Sequence, residues 1–146
     1  MDISNQEGST GFLLYNLTTL LQRRMKRELD TLDITHMQFV LLATLKRLSK
    51  NSKAVTQIEI ATESKADKMM VSKVLRTLQT KGFVTREEHS TDTRAKTILL
   101  TQSGNLMLNK GFTIVKKVEK DFFGCLDTQT EIFNSAIKLL ITANQD

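Results

Sequence analysis

Between residues 11 and 32 the apolar side chains Leu13, Leu14, Leu17, Leu20, Leu21 and Met25 recur at spacings of three and four, the period of one helix face, and Ser9 or Thr10 can cap it. Thr35 followed by Gln38 has the form of a capping box, and Phe39, Val40, Leu41, Leu42 and Leu45 continue as a second, largely buried helix that ends in the polar run 49–53. Ala54 and Val55 suit a very short strand. Thr56 with Glu59 makes another capping box, opening a short helix through Ile58, Ile60 and Ala61. Residues 64–66 read as a tight turn. Asp67 then caps a further helix whose inner face carries Met70, Val71, Val74, Leu75 and Leu78, and Gly82 stops it.

Beyond Gly82 the period shortens to that of strands: Phe83-Val84-Thr85-Arg86, a polar tip over 87–95, and a second run over 96–100. This is a β-hairpin with a charged tip. Thr101 caps a long helix through Leu106, Leu108, Ile114, Val115, Val118 and Phe122 that frays near Gly124. Thr128 with Glu131 forms a third capping box for a last helix carrying Ile132, Phe133, Ile137, Leu140 and Ile141. The expected order is helix, helix, short strand, helix, helix, hairpin, helix, helix, a mainly α fold with one small β-hairpin.

Composition narrows the class without naming it. With 146 residues, 40% hydrophobic and 25% charged, the chain suits one compact domain. No apolar run approaches the ~20 residues of a membrane span and residues 1–10 carry no leader pattern, so a cytoplasmic protein with no membrane partner is expected. One cysteine excludes an intramolecular disulfide and metal sites built on cysteine pairs, and His36 and His89 stand in different elements, so neither a metal nor a cofactor is expected. Charge is more telling. Residues 46–96 hold 12 Lys/Arg against 6 Asp/Glu, net +6, while the remainder nets −1. A solvated face would explain that equally well on charge alone; the order of elements decides for nucleic acid.

Two short helices joined by a tight turn and followed by a basic hairpin suit a duplex, because the second helix fits the major groove and the hairpin reaches sideways. Lys68, Met69, Ser72 and Lys73 lie off the apolar face, with Arg76 one turn further. The three cations can meet phosphate or guanine and Ser72 either. Met69 can touch a thymine methyl or cover core, whereas Met70 is assigned to the core.

The motif Asp92-Thr93-Arg94-Ala95-Lys96 between the two strands resembles the wing signature of the MarR (multiple antibiotic resistance regulator) family. The run from Val71 to Arg86 is similar to that family's recognition helix and the turn that ends it, and Leu99, Thr101 and Gly104 fit the Leu-Thr-x-x-Gly that follows the wing. The resemblance covers nearly the whole chain. It implies a winged helix-turn-helix core over 35–100, flanked by dimerisation helices over 9–32 and 102–144, in a single domain spanning 1–146. It also implies a homodimer on a pseudo-palindromic double-stranded operator, a repressor in the family's manner, with Arg94 entering the minor groove and Asp92 orienting it or a neighbouring cation. Lys65, Arg86 and Lys96 complete the expected DNA contacts. Departures are Thr93 where many members carry arginine, and Lys65 where glycine is common, which costs modest strain if the turn needs a positive φ.

Tyr15, His36 and Phe39 are candidates to line a cavity for a small aromatic or anionic effector, although core packing explains Phe39 as well. Cys125 could sense an oxidant, but a lone cysteine is more often a small buried hydrophobe. No phosphate loop, nucleophile elbow or paired His and carboxylate supports an enzyme. The other alternative is a winged-helix dimer acting as a protein-interaction module, which would be expected to lose its basic helix and wing.

Overall fold

The computed structural model describes residues 8–51, 54–88 and 96–145. Helix α1 (Thr10–Leu29) starts at Ser9, whose side chain accepts from the Phe12 amide, and buries only Met25 and Leu29 near its end. A 3-10 turn, Asp30–Leu32, leads into α2 (His36–Ser49). Its capping box is complete: Thr35 Oγ1 accepts from Gln38 N at 3.0 Å and Gln38 Oε1 from Thr35 N at 3.2 Å. The two-residue strand β1 (Val55–Thr56) runs straight into α3 (Gln57–Ser64), where Thr56 and Glu59 form the second box. Asp67 caps α4 (Lys68–Thr80) by accepting from the Met70 amide.

Helix α4 stops in a Schellman arrangement. Phe83 N donates to Leu78 O and Gly82 N to Gln79 O, which requires the positive φ of 83° that Gly82 supplies. Strands β2 (Val84–Glu88) and β3 (Lys96–Leu100) pair antiparallel with Val84 opposite Leu100, and β1 adds on the other side of β3, giving the order β1-β3-β2. Thr101 caps α5 (Gln102–Phe123), and a 3-10 segment, Gly124–Gln129, turns the chain into α6 (Thr130–Ala143).

The core lies where α2, α3, α4 and the sheet meet. Leu41, Leu42, Leu45, Val55, Ile60, Val71, Leu75, Leu78, Val84 and Ile98 are all buried there, and α5 closes the far side with Leu108, Val115 and Val118. None of the described helices is long and apolar enough to cross a membrane.

Three expectations are corrected. Met70 is 47% exposed rather than core, because the inward stripe of α4 is filled by Val71, Leu75 and Leu78 and Met70 falls at its shoulder. The third capping box does not form: a box needs an extended backbone at its first residue, but the chain kinks at Asp127 (φ 47°, ψ −113°) and α6 begins at Thr130, whose hydroxyl donates to Asp127 O. Cys125 is exposed in the 3-10 segment rather than buried.

Candidate nucleic-acid interface

Between α3 and α4 the chain turns within three residues. Lys65 takes the left-handed conformation (φ 58°, ψ 22°) and its amide donates to Thr62 O, so the position does require a positive φ. The turn presents Lys65 and Lys68 to solvent at the head of α4. Along α4 the buried residues Val71, Leu75 and Leu78 define the inner face. Met69, Ser72, Lys73 and Arg76, at i, i+3, i+4 and i+7, make up the opposite one. Met69 is 82% exposed, Lys73 and Arg76 are exposed and Ser72 is half-buried. Lys65, Lys68, Lys73 and Arg76 form no ion pair with the described residues, whereas Arg47 on α2 is neutralised by Glu63 on α3 at 3.2 Å. The face therefore carries uncompensated positive charge.

Three non-local contacts hold this face in place. Lys81, at the end of α4, donates through Nζ to Asp33 O and Gln38 Oε1, fastening α4 to the start of α2. Gln38 is buried, so one side chain completes a capping box and receives the lysine. Thr101 donates through Oγ1 to Gly82 O at 2.7 Å and through N to Phe83 O, joining the turn after α4 to the start of α5. Arg86 on β2 donates to Gln57 Oε1 at 2.7 Å, bracing the hairpin against α3. Lys81 and Gln57 carried no local signal in the sequence, since each acts on a partner far along the chain.

The hairpin places Arg86 half-buried and Lys96 exposed at the start of β3. Asp92 and Arg94, with His89, lie outside the described residues. The candidate effector residues differ in exposure. Tyr15 is exposed on α1; Phe39 is buried, its ring lying where Gly111 on α5 leaves out a side chain; and His36 is half-buried at the first position of α2. Burial lowers the His36 pKa below its ordinary 6.5, opposed by the charge of Glu119 on α5. Among the described residues no group of three or more His, Cys, Asp or Glu is placed to hold a metal ion.

Residues 30–119 match the ArnR1-like winged-helix domain family. Over 138 residues the chain is 36% identical to an uncharacterized HTH-type transcriptional regulator, YdcH, of Bacillus subtilis, covering 94% of this chain and 93% of the relative. Its fold is that of a MarR mutant from E. coli complexed with operator DNA, with a TM-score of 0.82, 21% identity and coverage of 99% of this chain and 100% of that one. It is equally similar in fold to BpsR of Bordetella bronchiseptica, whose structure concerns regulation of DNA binding by 6-hydroxynicotinic acid (TM-score 0.81, 18% identity, 96% of each chain).

Proposed function

The chain belongs to the ArnR1-like winged-helix domain family and has the fold of MarR, and from that premise we propose that it is a MarR-type regulator, a homodimeric, sequence-specific repressor that occludes a pseudo-palindromic operator. The family is a class of regulators rather than of enzymes. One observation carries the reading: the unpaired stripe of Met69, Ser72, Lys73 and Arg76 on α4, opposite a buried stripe, capped by Asp67 at its start and braced at its C-terminal end, has the shape and charge to enter a major groove. Lys65 and Lys68 at the preceding turn suit flanking phosphates, Lys96 and Arg86 belong to the hairpin side, and minor-groove contact is assigned to Arg94, with Asp92 as its orienting carboxylate.

We assign DNA binding to 35–100 and dimerisation to 9–32 and 102–144. The assignment is supported by α6, which buries none of its residues within the protomer although Ile132, Ile137, Leu139, Leu140 and Ile141 lie on it, and by Phe12, Leu13 and Leu14, exposed on α1. At about 25 cal/mol per Å² of apolar surface, covering two such helices in a symmetric pair is strongly favourable. A protomer reads one half-site; the dimer reads two, about one turn of DNA apart.

Control by a small ligand is part of the proposal, supported by the likeness to BpsR, with Tyr15 and His36 as the candidate contacts. An oxidant would act on Cys125, the one cysteine. The deciding experiment titrates purified protein, at several salt concentrations, against the intergenic duplex upstream of its own coding sequence and a scrambled duplex of equal length. Tight, salt-sensitive preference for the former is expected. Equal, weak binding to both would overturn the reading.

A further inference from the structure

We propose that Met69, with Met70 at its shoulder, is a base-reading residue that recognises the C5-methyl group of thymine in the major groove. The inference rests on the assignment of α4 to DNA and adds what that helix reads. Met69 stands at the N-terminal end of the outward face of α4, with Ser72 and Lys73 one turn on and Arg76 two turns on. It covers no core: Val71, Leu75 and Leu78 close the helix from within, and 82% of Met69 and 47% of Met70 remain in solvent. Two large apolar side chains are thus left uncovered at the one place on the helix that is otherwise cationic.

The surroundings specify what covers them. A groove of about 750 Å³ runs from α4 to the start of α2, with Met69, Met70 and Val74 as its apolar wall and Lys73 and Arg76 on its cationic side. An apolar strip bordered by cations matches a duplex, in which two rails of phosphate border a base edge whose apolar protrusion in the major groove is the thymine methyl. A protein partner would need carboxylates placed to meet Lys73 and Arg76 beside an apolar ridge, whereas a duplex supplies its phosphates beside every base edge. A thioether makes no strong hydrogen bond to a base edge, so discrimination by these residues comes from the methyl contact, and the unbranched, polarizable side chain adapts to its exact placement.

Replacing thymine by deoxyuridine removes that methyl and leaves the pairing and the O4 acceptor unchanged. With the preferred duplex identified by selection from a random pool, each thymine is replaced in turn and the Kd measured for the parent, Met69→Ala, Met69→Leu and the double variant Met69→Ala with Met70→Ala. The parent is expected to lose about fourfold at one or two positions per half-site, the tenfold-per-1.36 kcal/mol conversion of ~0.8 kcal/mol for one buried carbon. Met69→Leu keeps that sensitivity and Met69→Ala loses most of it. Because Met69 is exposed, circular dichroism should show all variants folded. Equal affinity for thymine and uracil at every position, with a preferred duplex in hand, overturns this inference and leaves the regulator reading standing. The same holds if the double variant keeps the parent's uracil penalty. Failure to select any preferred duplex overturns both.

Discussion

A Cβ on Gly104 would lie 2.0 Å from the carbonyl oxygen of Phe83 and 2.9 Å from its carbon, and that carbonyl cannot retreat because it accepts from Thr101 N while Thr101 Oγ1 holds the neighbouring Gly82 carbonyl. Gly104→Ala should therefore force the start of α5 away from the turn after α4, at about 3 kcal/mol. Gly111 is a control of the opposite kind: its Cβ would meet the Phe39 ring at 2.9 Å and Ile34 at 3.4 Å, side chains that can turn aside, and Gly111→Ala should cost about 1 kcal/mol. Urea unfolding of the two variants checks the order, and equal losses would mean the joint between α4 and α5 yields after all. Lys65 makes the reverse prediction. Its left-handed φ of 58° costs a residue with a Cβ about 1 kcal/mol, so Lys65→Gly should raise the urea midpoint slightly. The same variant should weaken DNA binding by removing a cation. Stability and affinity moving in opposite directions is an outcome that a purely structural lysine would not produce.

Helix starts were readable from the chain wherever one polar side chain could settle the matter with a neighbour three residues away: Thr35 with Gln38, Thr56 with Glu59, Asp67 with the Met70 amide, and Thr101 with the Gly104 amide all cap as their spacing predicts. The pair Thr128 and Glu131 has the same spacing and fails, because the chain kinks at Asp127, immediately before the would-be cap, and α6 starts only at Thr130. Met70 failed for a related reason. Its place on the helical wheel is at the edge of the apolar face, and only the packing of α2 against α4 decides on which side of that edge it falls. The bracing contacts of Lys81 and Arg86 were not readable at all, since their partners are 43 and 29 residues away. His36 shows how an element's position controls titration. Burial at the start of α2 lowers its pKa, so the unfolded chain binds the proton more readily than the folded one. Stability is then complete above the ordinary value near 6.5 and declines as pH falls through it towards the lower folded value. His36→Gln should flatten that acidic limb, as measured by urea midpoints between pH 7.5 and 5; a variant with the parent's slope would place the titration elsewhere.

Because the proposed dimerisation and DNA binding use different helices, one substitution can separate them. Lys65, Lys68, Lys73 and Arg76 are the four cations at the turn and on α4 that no described carboxylate neutralises, so a dimer presents about eight to phosphate. At about 0.9 counterions released per neutralised phosphate, log K should fall against log salt with a slope near −7. Ile137 lies on α6 and is already partly exposed within the protomer, so Ile137→Glu places a carboxylate in the expected dimer interface without opening a core. The variant should sediment as a folded monomer, with unchanged helical content, and bind a single half-site with a slope of about −4, since half of the phosphate contacts are gone. Its preference for two half-sites over one should vanish, because palindromic recognition belongs to the symmetric pair and not to either protomer. A variant that still sedimented as a dimer with the parent's slope would move the interface off α6. One that sedimented as a monomer yet kept the full slope would show that the phosphates are met by other cations than these four.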